Sequence, residues 1–244
     1  AVNQQRTEKQ KVLVAHNEDW FPNDEEDVYL VKVVTDDEPP FLAMNYGGLL
    51  PNIGFNEAGI AQCCDTVYPV EKRIGIPRVV VGRAVLGART ISEAIQRAIS
   101  PHRAAGYNHL IVHESGELYN VEVSANNFAL LYSDCGYLAH TNHYLSPKMQ
   151  TIEEAPDQLI GSHVRYFRAL RMLRETESHT VTSLQMIQRD HVNYPHSICC
   201  HATEFENPFD REKTIAALVM DLSERVMMMA WGNPCQNLYY SFAL

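Results

Sequence analysis

The chain has 244 residues, 45% hydrophobic and 20% charged, with a formal net charge of -10. That length suffices for a sizeable core in one domain over residues 1–244, and no Lys/Arg block is present to neutralise a phosphate backbone. No apolar run approaches the roughly 20 residues that cross a bilayer, so neither nucleic acid nor membrane is an expected partner.

Six cysteines stand at 63, 64, 135, 199, 200 and 235. Neither adjacent pair can close on itself in an extended strand, where neighbouring side chains point to opposite faces. No C-x-x-C spacing marks a metal or redox site. Reduced thiols without a targeting segment lead to the expectation of a cytoplasmic protein with no cofactor.

In chain order, Lys11–His16 reads as a strand running into Asn17-Glu18-Asp19. Val28–Val34 and Phe41–Tyr46 follow as strands across the hairpin connection Asp36-Asp37-Glu38-Pro39-Pro40. Pro51–Phe55 and Gly59–Thr66 are two more, broken at Asn56-Glu57-Ala58-Gly59. The period then becomes helical over Pro77–Leu86 and Thr90–Ile99, where Thr90 and Glu93 spell a capping box. Strands return at Asn108–His113 and Glu117–Val123 around a turn at Ser115-Gly116, then at Ala129–Ser133 and Tyr137–Thr141. A second helical pair covers Ser162–Thr176, with an apolar stripe of Val164, Phe167, Leu170 and Leu173, and Val181–Arg189. Ile215–Leu222 and Arg225–Trp231 close the pattern as strands. Strands, two helices, strands, two helices, strands predict an α+β fold of sheets covered by paired helices on both sides.

Polar residues crowd the strand ends in four segments. These are His16-Asn17-Glu18-Asp19-Trp20, Ala139-His140-Thr141-Asn142-His143, Asn193-Tyr194-Pro195-His196-Ser197-Ile198-Cys199-Cys200 and Asp210-Arg211-Glu212-Lys213-Thr214. Read alone, Asp19 and Asn142 fit strand-end turns, and Arg211 fits an exposed loop. His140 and His143 form H-x-x-H without a third ligand, so structural histidines are expected rather than a metal site. Cys199 and Cys200 read as small buried hydrophobes, and Met227-Met228-Met229 as core strand.

Together, Asn17-Glu18-Asp19, Gly54-Phe55-Asn56-Glu57-Ala58-Gly59-Ile60, His140-Thr141-Asn142-His143 and Asn193-Tyr194-Pro195 with Ser197-Ile198-Cys199 resemble the acyl-coenzyme A:6-aminopenicillanic acid acyltransferase family of N-terminal-nucleophile hydrolases. The resemblance runs from Lys11 to Gly232. It implies a four-layer αββα sandwich and a precursor that cleaves itself ahead of a cysteine. The freed thiolate would attack an acyl amide or acyl thioester, with its own amino group as base. The same resemblance makes Asp19 the acid that orients the nucleophile. Asn142 becomes the oxyanion-hole donor, and Arg211 a late arginine holding Asp19 or a substrate carboxylate. A small chain from the same precursor is an implied partner. The alternatives are a choloylglycine or penicillin V type hydrolase, which shares the fold, and a non-catalytic member that binds acyl ligands.

Alanine is no nucleophile, which leaves two accounts of the first position. Ala1 occupies the nucleophile position itself, in a gapless match to Asp19. Alternatively, Gln4-Gln5-Arg6-Thr7-Glu8-Lys9-Gln10 is a hairpin loop, Ala1-Val2 ends the first strand, and a cysteine lies a few positions upstream. The polar run fits the second account better, because it would be costly on a buried strand.

Overall fold

A computed structural model of the protein describes residues 1–204, 207 and 211–244. Two antiparallel sheets form its centre. One has the order β1-β9-β10-β11, built from β1 (Leu13–Trp20), β9 (Lys213–Asp221), β10 (Val226–Trp231) and β11 (Tyr240–Ala243). The other is a meander of β2 (Tyr29–Val33), β3 (Phe41–Asn45), β4 (Ile53–Asn56), β5 (Ile60–Asp65), β6 (Tyr107–His113), β7 (Leu118–Val123) and β8 (Phe128–Tyr132). The helices are α1 (Arg78–Leu86), α2 (Ile91–Ala98), the short α3 (Pro147–Gln150), α4 (Ile160–Glu175) and α5 (Val181–Gln188).

The alternation of side chains along the strands builds the layers. Val12 and Val14 of the β1 segment join Leu218, Met220, Met227 and Met229 against Phe55, Ile111 and Val121 of the seven-stranded sheet. Leu13, Val219 and Met228 point the other way, onto Leu173 of α4 and Leu184 of α5. On the opposite flank, Phe41 and Ala43 pack against Leu86 of α1. The result is the expected order of helices, sheet, sheet, helices.

The glycine and asparagine of the Gly54–Ile60 segment serve this packing. A Cβ on Gly54 would overlap the Leu42 carbonyl oxygen and lie 2.7 Å from Ala43 Cα, so only glycine lets β4 approach β3. Asn56 donates to the Leu86 and Ala88 carbonyls, each at 2.8 Å, and its Oδ1 accepts from Ile60 N. It therefore fastens the end of α1 to the β4–β5 turn.

Three expectations need correction, and one element was not foreseen. Tyr137–Thr141 is not a strand, because beyond the isolated bridge of Tyr137 to Val2 this segment borders a cavity instead of a sheet neighbour. Thr90 accepts from Glu93 N, but the Glu93 carboxylate turns to Arg89 N, so the box is half formed. The complete reciprocal pair is Thr180 with Ser183 on α5. Leu173 of the expected stripe is buried, but Phe167 is exposed, and the inward face of α4 also carries Ser162, Arg165 and Ala169, two of them polar. Residues 240–243 add an edge strand that the hydrophobic pattern does not announce.

Candidate active site

Val2 bridges Leu13 on one side and Tyr137 on the other, both antiparallel. The Ala1 backbone nitrogen donates to the Leu138 carbonyl at 2.8 Å, and Leu138 N returns a bond to Ala1 O at 3.0 Å. Ala1–Val2 is thus a short extended piece wedged between the start of β1 and the segment at 137–138. The polar run that follows it is a hairpin loop, with a 3-10 turn over Gln4–Arg6.

A cavity of about 360 Å³ opens at Ala1. Ala15 to Trp20 of β1 form one wall and Leu138 to Asn142 the other, with Cys63 to Thr66 from the end of β5 between them and Arg165 of α4 lining it as well. A second cavity of about 790 Å³ adjoins it, sharing Asp19, Trp20, Thr66, Arg78, Asn142 and Arg165.

A break in the register of β1 against β9 falls between Glu18 and Asp19. Such an irregularity changes the face that the following side chains present. Asp19 Oδ1 accepts a 2.6 Å bond from the Thr214 hydroxyl. Burial pushes the Asp19 carboxyl up to about 6, and the Arg165 charge and the Thr214 bond limit the rise. Asp19 therefore changes charge near neutrality, a property concentrated at functional sites.

Asn142 is fixed at three points. Its backbone N–H donates to Ser162 Oγ at 2.8 Å, its Nδ2 donates to the Thr66 carbonyl at 3.2 Å, and its Oδ1 accepts from both terminal nitrogens of Arg165 at 3.1 Å. The bidentate contact commits the oxygen to the guanidinium and leaves the amide as a pure donor.

The structure brings Asp19, Asn142 and Ala1 to one cavity but does not bring Arg211 among its lining residues. Arg211 donates to the Glu204 carbonyl at 3.0 Å, and its neighbour Asp210 lies outside the described residues. The arginine at the cavity is Arg165, in the middle of a helix where an apolar stripe was expected. Ser162 and Arg165 stand at i, i+3 in a segment otherwise read as packing, a spacing that does not by itself mark a site.

Two further polar arrays line the cavity. His16 Nε2 lies 2.8 Å from Glu18 Oε2, while Tyr46 donates to Glu18 Oε1 at 2.8 Å. Burial opposes a charge on His16, but the neighbouring Cys63 and Glu18 raise its pKa well above the usual imidazole range. His140 sits between Asp65, 3.3 Å from Nδ1, and Glu122, 2.9 Å from Nε2. Burial alone would lower the His140 pKa, and the two carboxylates outweigh it and raise it to about 9. His143 instead meets Ser162 Oγ at 2.8 Å. His140 and His143 are thus engaged with different partners.

Comparison with known proteins identifies the family and the fold. A curated relative, the 40 kDa form of acyl-coenzyme A:6-aminopenicillanic-acid-acyltransferase from Emericella nidulans, is 26% identical over 227 residues. That match covers 91% of this chain and 61% of the relative, so the chain spans about three-fifths of the relative's length. Penicillin V acylase from Agrobacterium tumefaciens superposes with a TM-score of 0.63 at 14% identity, covering 93% of this chain and 81% of the acylase. A variant of conjugated bile acid hydrolase from Clostridium perfringens gives 0.65 at 10% identity, over 98% and 95%. At those identities the two structures establish the fold, which is that of the N-terminal-nucleophile hydrolases. The family model described as acyl-coenzyme A:6-aminopenicillanic acid acyl-transferase matches residues 6–236, and the chain belongs to that family.

Proposed function

We propose that this chain is the large part of an enzyme that moves an acyl group from an amide or thioester through a cysteine thioester, with the thiol freed by self-cleavage of a precursor. The observation that carries the reading is the path of Ala1–Val2. Paired numbers sum to 15 across the bridge of Val2 to Leu13 and to 139 across that of Val2 to Tyr137. Continued in that register, the positions ahead of Ala1 fall between Ala15, His16 and Asn17 on one side and Ala139, His140 and Thr141 on the other. A thiol borne there would stand in the cavity, with Asp19 and Asn142 on its two walls. Of the two accounts of the first position, this path favours a cysteine shortly upstream.

In this mechanism the thiolate adds to the acyl carbonyl, and the amide of Asn142 donates to the oxyanion. The leaving amine or thiol takes a proton from the base that activated the nucleophile. Water or an acceptor amine then attacks the thioester and releases the thiol. Arg165 keeps the Asn142 amide aimed, and ionised Asp19 holds the nucleophile's ammonium. The cavity volume suits a small acyl group. The activities named for the relatives, acyl transfer to 6-aminopenicillanic acid and hydrolysis by acylases, share transfer of an acyl group to or from nitrogen.

A second reading rests on Cys63. Cys63 lines the same cavity and raises the His16 pKa together with Glu18, which meets His16 Nε2 at 2.8 Å, a set of candidate nucleophile, base and orienting acid. One experiment separates the readings. The natural gene product is treated with an acyl-directed electrophile and the modified peptide is located by mass spectrometry. Two chains with the label on an N-terminal cysteine of the larger are expected. A label on Cys63 selects the second reading, and an unlabelled intact chain that binds acyl ligands defeats both.

A further inference from the structure

Outside the cleft, the fold gathers His191, Cys199, His201 and Cys235 so that one ligand atom of each lies within 4.8 Å of the other three. His191 and His201 belong with Cys199 to the segment after α5, while Cys235 comes from the turn after β10. We propose that these four side chains form a structural zinc site, formed by a sequence pattern, H-x7-C-x-H with a distant fourth cysteine, that matches no familiar spacing.

The four distances recorded among these atoms suit a tetrahedral ion. His191 Nε2 to His201 Nε2 is 3.1 Å, Cys199 Sγ to His201 Nε2 is 3.5 Å, Cys235 Sγ to His201 Nε2 is 3.5 Å, and Cys199 Sγ to Cys235 Sγ is 3.6 Å. Zinc bonds of about 2.0–2.1 Å to nitrogen and about 2.3 Å to sulfur, spread tetrahedrally, require edges of about 3.3, 3.5 and 3.8 Å for the N–N, S–N and S–S pairs. The two thiols are too far apart for a disulfide, whose sulfurs lie about 2.0 Å apart. Two thiolates and two neutral imidazoles favour zinc over a hard cation.

The surroundings fit a metal-bound thiolate. Asn233 Nδ2 points to Cys199 Sγ at 3.6 Å while also donating to the Cys200 carbonyl at 2.6 Å. Four protein ligands close the coordination, so the site is structural and not catalytic. Its position gives it a purpose. Between α5 and β9 the described chain has neither helix nor strand, yet the carbonyl of Ile198 accepts from Asn17 of β1 at 2.8 Å and Ile198 lines the cleft. A zinc ion at Cys199 would clamp that cleft wall to the β10–β11 turn.

Metal content of the chain, purified without chelator from zinc-supplied cells, tests the site. An equimolar amount of zinc is expected, falling below about a tenth in Cys235→Ala and His191→Ala. It should be unchanged in Cys135→Ala, which removes an exposed thiol outside the cluster. As a check that does not depend on any variant's folding, reduced metal-free wild-type protein titrated with cobalt should give the intense visible absorption of a tetrahedral thiolate site, and its melting temperature should rise. Reduced protein that takes up no cobalt, or zinc content unaltered in Cys235→Ala, overturns the proposal. Binding lost equally in Cys135→Ala does the same.

Discussion

Arg165 places both terminal guanidinium nitrogens 3.1 Å from Asn142 Oδ1, while its charge also lowers the pKa of Asp19 on the facing strand. One helical side chain thus serves both walls of the cleft. Replacing it with methionine removes the charge that restrains the Asp19 carboxyl, which already titrates at about 6. The acidic limb of the pH–kcat/KM profile is expected to move upward. Arg165→Lys keeps the charge and loses the fork, so it should lower kcat while leaving that limb near its wild-type position.

Asn142→Ala removes the amide proposed to face the oxyanion. A fall in kcat of roughly 10²–10³ is expected from the loss of one such donor. KM should change little, since the bond strengthens only in the transition state. A variant whose KM rises while kcat is kept would instead place Asn142 in substrate binding.

Asp19 carries a stability cost that depends on pH. Its folded pKa of about 6 lies above the usual carboxylate value of 3.8, so the folded state holds a proton that the unfolded chain has released. Stability therefore falls as pH rises from about 4 to 6. The shift corresponds to at most ~3 kcal/mol, less the part returned by solvent at this incompletely buried side chain. Asp19→Asn should raise the melting temperature above pH 6 and leave it unchanged near pH 4. Denaturation curves at the two pH values measure it.

His140 works in the opposite sense. Raised to about 9 between Asp65 and Glu122, its ion pairs contribute fully below about pH 6.5 and are lost as pH climbs to 9. His140→Gln leaves the buried Glu122 and the partly buried Asp65 facing a neutral partner, a loss of at most about 3–5 kcal/mol by analogy with other broken buried pairs. The stability gap between variant and wild type should be wide at pH 6.5 and narrow toward pH 9, read from urea midpoints.

The layers were legible because period and burial agree. Val12 and Val14 against Leu13, and Met227 and Met229 against Met228, alternate as the sheet faces demand. Asp19 and Asn142 were legible through short polar motifs at strand ends. Arg165 was not, since a cationic residue within a helix reads as a solvated one until the helix is seen to border a cavity. Tyr137–Thr141 misled for the same reason: its extended, apolar-to-polar pattern is that of a strand, but its neighbour over most of its length is the cleft. The cluster of His191, Cys199, His201 and Cys235 escaped because Cys235 comes from a turn distant in sequence, and Cys199 beside Cys200 read as small buried hydrophobes.

The hydrogen-bonded ladder from β1 through β9 to β11 underlies one side of the cleft, whereas Tyr68, Lys72, Gln158 and Leu159 of the adjoining second cavity belong to loops and the approach to α4. Backbone pairing therefore fixes the strand that carries Asp19, and the four loop and helix-end positions stand outside it. Under the proposed function, a library confined to those four positions is expected to alter the range of acyl groups accepted while the contacts of Asp19 are kept.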